Sequence, residues 1–289
     1  MNRLALGTAQ FGLNYGIANQ TGQISIKKGQ EIINAAKKSG IDTLDTAILY
    51  GKSEDVLGNI GITNLKVITK LPEISQTKHI KSHIKQLLKA SFKRLKVDKV
   101  AGLLLHRPLQ LLEPGYDKIY QVLKELRQEG LVEKIGYSIY SPTDLDVLWD
   151  SFHPDIVQAP FSVFDRRLLA TGWLHKMHQA GTEVHTRSIF LQGLLLMDKD
   201  SRPTKFQKWE NLWSKWYTWL KSQDISAVQA ALNFVLSHQE INRVVIGVDN
   251  VLHLKEILRM ACDSDTSIIP DSIFSNDELL LNPANWEQI

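Results

Sequence analysis

Four side chains able to move protons stand at or just beyond the ends of three successive apolar runs. The run IDTLDTAILYG carries Asp45 near its end and Tyr50 five residues further on. KVITKLP ends at Lys70 just before a Leu-Pro stop, and GLLLHRP places His106 directly after three leucines. A carboxylate, a phenol, an ammonium and an imidazole brought together form a proton-transfer device. An ordinary tyrosine ionises only near pH ~10, so it is a poor acid or base at neutrality without help. A cation within a few Å, here Lys70, stabilises phenolate, and Asp45 can hold that ammonium charged and oriented. His106 can then donate a hydrogen bond to a substrate oxygen. Taken singly, each residue has an ordinary structural reading: Asp45 as a helix cap, Tyr50 as a wet-edged core aromatic, Lys70 as a solvated charge, His106 as a satisfied structural histidine. Their joint occurrence at consecutive run ends favours chemistry.

The elements that must position them alternate regularly. Apolar runs fall at 4–8, 41–46, 66–70, 100–105, 134–139, 155–161, 183–189 and 243–248. Between the third and fourth, Ile80, Ile84, Leu87, Leu88, Phe92 and Leu95 recur at helical spacing, with lysines on the other face. Ile119, Val122, Leu123 and Leu126 repeat the pattern and end at Gly130, which suits a left-handed helix cap. Strand, helix, strand in this order implies parallel pairing, because each parallel pair needs a long crossover. Eight such runs predict a single α/β domain over 1–289, a closed (β/α)8 TIM barrel, with chemistry at the C-terminal strand ends. A doubly wound open sheet is the rival, but no GxGxxG fingerprint follows the first run. Residues 190–212 read as one long irregular loop. Trp209, Trp213, Trp216 and Trp219 then share a helix face, expected to be buried, with an apolar wall over the barrel mouth or a partner surface as the alternative.

Composition removes several function classes. The 289 residues carry 34 Lys and Arg against 31 Asp and Glu, a formal charge of +3 that does not call for a nucleic-acid partner. The lysine-rich stretch from Lys78 to Lys99 lacks interleaved aromatics and reads as a solvated helix face. His79 and His83 have ligand spacing but no third ligand, so no metal is expected. One cysteine, Cys262, fits a reducing, cytoplasmic setting. No apolar stretch approaches the roughly 18 residues of a membrane span, and no signal peptide is indicated.

DTAILYGKSEDVLG, VITKLP and LLLHRP resemble the three catalytic segments of the aldo-keto reductases. The resemblance runs from LALGTAQFG near residue 4 to about residue 260 and leaves the C-terminal tail unassigned. It implies a (β/α)8 barrel and an NAD(P)-dependent carbonyl reductase. The family's Asp, Tyr, Lys, His tetrad matches Asp45, Tyr50, Lys70 and His106, and all four positions are filled. A small-molecule aldehyde or ketone is the implied substrate; LGTAQFGLNYGI resembles a bacterial branch associated with sugar and surface-polysaccharide metabolism, which suggests a sugar or sugar derivative. The alternative on the same fold is a cofactor-sensing, non-catalytic regulatory subunit, which a missing tetrad residue would have favoured.

The same resemblance implies the cofactor contacts. Gly7, Thr8 and Asp45 belong to the early part of the set. Ser138 in KIGYSIYSP and Gln158 in DIVQAPFS match residues that hydrogen-bond the nicotinamide carboxamide. In VHTRSIFLQGLLL, Arg187 stands where many relatives carry an aromatic that stacks on the nicotinamide, and Ser188, Gln192 and Gly193 belong to the diphosphate side. RVVIGVDNVLHLKEIL brings Gly247 and Asn250 to a turn before a helix N-terminus, which suits phosphate. His253 falls where an arginine often meets the 2'-phosphate, Asp249 adds negative charge nearby, and Glu256 matches the adenine reader. NADP is the expected cofactor, with NAD as the other candidate.

Overall fold

The computed structural model describes residues 3–19, 22–75, 79–262 and 268–289. Its strands are β1 (Leu4–Gly7), β2 (Thr43–Asp45), β3 (Lys66–Leu71), β4 (Val100–Leu105), β5 (Val132–Ser138), β6 (Ile156–Pro160), β7 (Glu183–Arg187) and β8 (Ile241–Ile246). They pair in parallel in chain order, and β8 returns to β1 through Leu4 opposite Val244, so the barrel closes. Closure leaves no free sheet edge, and it brings all eight C-terminal strand ends to one mouth.

The barrel's interior is thin and its outer layer thick. Inside, Ile68, Leu104 and Ile156 meet around Gly102, where an added Cβ would lie 2.7 Å from Ile68 Cδ1. The larger core lies between strands and helices. The helix Ile80–Leu95 buries Ile84, Leu88 and Leu95, and Asp117–Gln128 buries Ile119, Val122, Leu123 and Leu126 before the chain reverses at Gly130 with φ +74°. Both expose their charged face, as the periodicity predicts. Lys78 lies outside the described residues. Among the described residues no helix is long and apolar enough to cross a membrane.

The helix Ser53–Ile60, just beyond Tyr50, breaks the apolar-inward rule. It buries Glu54, whose carboxylate accepts from Thr69 Oγ1 (2.8 Å), Ser91 Oγ (2.6 Å) and Arg94 Nε and Nη2 (2.9 and 2.6 Å). One carboxylate thus ties this helix to β3 and to the helix Ile80–Leu95. Gly58 permits the approach, since a Cβ there would lie 2.0 Å from Arg94 O.

Several boundaries differ from the sequence reading. The second run shortens to Thr43–Asp45, and β5 begins at Val132, two residues before the expected 134. The stretch 190–212 is not a featureless loop: it holds 3-10 turns at Leu191–Leu196 and Thr204–Trp209 and the start of the helix Glu210–Gln223. Trp213 and Trp216 are fully buried, and Trp219 stacks on Trp216 at 5.7 Å. Trp209 caps the helix rather than lying within it, and its Nε1 donates to Asp277 of the C-terminal tail at 3.0 Å. The tail also brings Trp286 edge-on to Phe206 at 5.0 Å. Tail packing thus takes up part of the tryptophan face.

Glu54→Ala should lower stability by about 3 kcal/mol, because it strands the Arg94 guanidinium and two buried hydroxyls without acceptors. Urea unfolding measures it, and a loss below about 0.5 kcal/mol would show that the network contributes little.

Candidate active site

The strands deliver the four proton-handling groups by register. Asp45 ends β2 opposite Gly7 of β1 and Ile68 of β3, while Lys70 of β3 lies opposite Leu104 of β4. His106 follows β4 directly, held by its N–H donating to Leu71 O at 3.0 Å. Tyr50 closes a turn in which its N–H bonds Ala47 O (3.0 Å) and its carbonyl accepts from Ser53 N (2.9 Å). Gly12 packs against this turn; any Cβ there would sit 1.8 Å from Tyr50 O. Beneath it, Ser53 Oγ donates to Thr8 O at 2.8 Å and lies 3.1 Å from Thr46 Oγ1, while Thr8 Oγ1 donates to Asp45 O at 2.9 Å. These buried hydroxyls join the loops after β1 and β2.

Lys70 is wholly buried and Asp45 is 4% exposed. The ammonium donates to Asp45 Oδ1 and Oδ2, both at 2.8 Å, and to Thr46 O at 2.9 Å. All three of its donors are thereby committed. Burial pulls the Lys70 pKa down and the Asp45 carboxylate opposes that pull. Asp45 is therefore no helix cap and Lys70 no solvated charge.

Gln158, at the middle of β6, donates Nε2 to Asp45 Oδ1 at 2.6 Å. This fixes the amide's orientation and leaves its buried Oε1 without a partner. Ser138 pairs with Gln158 in register and is likewise buried.

Tyr50 and His106 meet edge to face at 5.8 Å, and Lys70 Nζ lies 5.1 Å from the Tyr50 ring centroid. Burial, then the charge of Asp45, push the Tyr50 pKa above the usual phenol value, with Arg187 opposing. Lys70 was expected to lower that pKa, but its donors point to Asp45 and Thr46, so the phenol stays firmly protonated. Burial, reinforced by Lys70, lowers the His106 pKa to about 4. The imidazole is neutral at neutral pH, and its buried Nδ1 has no partner.

Beside this cluster opens a cavity of about 360 Å³. Gly7, Thr8, Asp45 and Tyr50 line it from one side, and Arg187, Ser188, Gln192 and Gly193 from the segment after β7. Gly247, His253 and Glu256 form its far end, with Asp249. Lys70, His106, Ser138 and Gln158 stand outside that lining. Asn250 does too: its Oδ1 accepts from His253 N at 3.0 Å, so its side chain caps the helix Val251–Cys262. His253 Nδ1 lies 3.9 Å from Asp249 Oδ2, and Asp249 Oδ1 is buried without a partner.

Two features were not foreseen. The segment after β7 takes left-handed backbone at Ser188, Leu191, Gln192 and Gly193 (φ +60°, +50°, +55° and +92°). Tyr15, in the loop after β1, accepts from Gln192 Nε2 at 3.2 Å, and Gly193 packs so tightly on Ala18 that a Cβ would lie 2.6 Å from Ala18 Cβ. Little in the sequence hinted at this, because the contact joins residues 177 positions apart.

The profile described as the Aldo/keto reductase family matches residues 3–267. The chain is 24% identical over 284 residues to the oxidoreductase YqkF of Bacillus subtilis, covering 90% of this chain and 91% of that one. It is 26% identical over 180 residues to the aldo-keto reductase YhdN of the same organism, covering 58% and 52%. Its fold superposes on the holo form of the aldo-keto reductase AKR11C1 from Bacillus halodurans with a TM-score of 0.72 at 19% identity, over 94% of this chain and 89% of the other. On the match over residues 3–267, the chain belongs to the aldo/keto reductase family and is an NAD(P)-dependent oxidoreductase.

Proposed function

We propose that Tyr50 is the general acid of a carbonyl reduction and that Asp45, Lys70 and His106 hold it ready. The single observation that carries this reading is the convergence of a buried, protonated phenol, a neutral imidazole and a fully engaged Lys70–Asp45 pair beside one cavity.

The residues fit a nicotinamide dinucleotide. Gln158 Oε1 is an orphaned buried acceptor suited to the carboxamide N–H, and buried Ser138 beside it can serve the same group. The left-handed residues Ser188, Leu191, Gln192 and Gly193, together with Gly247, suit a diphosphate held by backbone N–H groups. When bound, the reduced cofactor supplies the hydride that goes to the carbonyl carbon.

Tyr50 gives its hydroxyl proton to the carbonyl oxygen as charge develops there, which general acid catalysis requires of a group still protonated at working pH. Neutral His106 sits against the Tyr50 ring and can donate a hydrogen bond to the same oxygen, polarising the carbonyl. Lys70, 5.1 Å from the ring, sits beside the phenol as one half of a compensated ion pair. Asp45 keeps Lys70 charged and in place. With all four groups present, no observation favours the non-catalytic alternative. We take a sugar or sugar-derived aldehyde or ketone as the first substrate class to screen, on the N-terminal resemblance, and a reducing, cytoplasmic compartment as the setting.

NADP, with NAD as the other candidate, is taken from the family resemblance, and the charges at the far end of the cavity keep its advantage over NAD small. His253 is the only basic group there among the described lining residues, and Asp249 and Glu256 oppose an extra phosphate.

Three measurements test this reading. Tyr50→Phe should lower kcat for aldehyde reduction by about 100-fold or more while leaving cofactor affinity nearly unchanged, and near-normal turnover by the folded variant would remove Tyr50 from the role. The pH profile of reduction should stay level from about pH 5 to about pH 9, falling only as His106 protonates near 4. Alcohol oxidation needs the phenolate and should instead rise with pH; a reduction profile that bends near pH ~6.5 would mean an ordinary histidine. His253→Arg, by adding a planar permanent cation, should tighten NADPH more than NADH. An unchanged ratio of the two dissociation constants would place His253 away from the 2'-position.

A further inference from the structure

Arg187 is the single Lys or Arg among the described residues that line the cavity. Its guanidinium is pinned: Nη2 donates to Ile139 O at 3.0 Å, Nη1 to Ser188 Oγ at 3.3 Å, and the group lies 4.5 Å from the Tyr140 ring centroid. No carboxylate among the described residues pairs with it. Asp45, the acid at this end, is taken by Lys70 and Gln158. The Lys70–Asp45 pair sums to zero, Tyr50 is protonated and His106 is neutral. The reacting end therefore carries one uncompensated positive charge, at Arg187. Its field reaches the centre, where it opposes the cationic forms of Lys70 and His106 and works against the upward shift of Tyr50.

We propose that Arg187 makes the site discriminate between redox states of its cofactor, holding the neutral reduced nicotinamide more tightly than the positively charged oxidised one. The inference rests on the cofactor reading above. Gln158 and Ser138 anchor the carboxamide, and Arg187 bonds the carbonyl of Ile139, the residue next to Ser138. A ring anchored there and facing Tyr50 shares this end of the cavity with the guanidinium. The two redox states differ by one positive charge on that ring and in nothing else of comparable charge. The diphosphate, Asp249 and Glu256 act on both states alike and cancel from the ratio. A half-buried cation is screened less than an exposed one, so like-charge repulsion at this site is not lost to solvent. The direction is set by charge alone: a fixed cation lowers affinity for the cationic ring, and by linkage the bound cofactor becomes easier to reduce and harder to oxidise. Arg187 then favours loading with the reduced cofactor and departure of the oxidised one, while making hydride donation from the bound ring less favourable.

The test is a pair of dissociation constants, read by fluorescence titration for the reduced form and by displacement of it for the oxidised form. The wild-type protein should bind the reduced form about tenfold or more tightly than the oxidised form. Arg187→Met should shrink that ratio by about tenfold, chiefly by tightening the oxidised form, and Arg187→Lys should retain most of it. ADP-ribose, with its 2'-phosphate where NADPH is the ligand, lacks the nicotinamide and should bind all three proteins alike. Equal wild-type affinities overturn the proposal without any variant, as does a ratio unchanged in Arg187→Met. Loss of both forms in equal measure would make Arg187 an anchor and not a discriminator. If the wild-type protein bound neither form, the cofactor reading itself would fall.

Discussion

A lysine buried without any exposed surface is the constraint from which the site's geometry follows. Removing an ammonium from water costs several kcal/mol unless every donor is met and a counter-charge is held close. Lys70 meets the condition with three acceptors, two from Asp45 and one from the Thr46 carbonyl. Those acceptors come from the end of β2, so the ion pair fixes the relative height of β2 and β3 at the mouth. Asp45 in turn orients Gln158 from β6 across the barrel, which decides which end of that amide remains for a ligand. One interaction thus sets the proton-transfer centre and the carboxamide anchor together.

The pair also sets the charge state of its neighbours. Because Asp45 neutralises Lys70 and absorbs its donors, little of the ammonium's field is left to ionise the phenol. Tyr50 stays protonated and His106 stays a neutral imidazole, so the first keeps a proton to give and the second an N–H for a hydrogen bond. The same neutralisation is why Arg187 stands out: in a site whose other charges cancel, one guanidinium decides the sign of the potential.

The tetrad was legible because strand runs are short, apolar and ended by polar residues, so Asp45, Lys70 and His106 announced themselves by position. The barrel was legible for the same reason: eight runs and two clear amphipathic helices leave few other topologies. What escaped was set by tertiary contact. Asn250 looked like a phosphate contact, yet a side chain at that position can satisfy the helix's own N–H group, and it does. The stretch 190–212 gave no period because its backbone is left-handed at non-glycine positions, which no hydrophobic pattern records. That the Lys70 donors go to Asp45 and Thr46 is set by the folded geometry and not by sequence position.

The wall around the cavity carries one guanidinium and no lysine among its described lining residues. Under the proposed cofactor reading, phosphate charges there are met mainly by dipoles. Backbone N–H groups can do so when the chain turns through successive left-handed residues, as it does over Leu191, Gln192 and Gly193. Such a turn is strained for Leu and Gln and persists only when its surroundings hold it. Tyr15 and Ala18 provide that hold from the loop after β1, through the Gln192 hydrogen bond and the close Gly193 contact. The loop after β1 is in turn tied down by Thr8 and Ser53 to the turn that carries Tyr50. The segment after β7 and the turn that carries Tyr50 are thus joined through one chain of contacts.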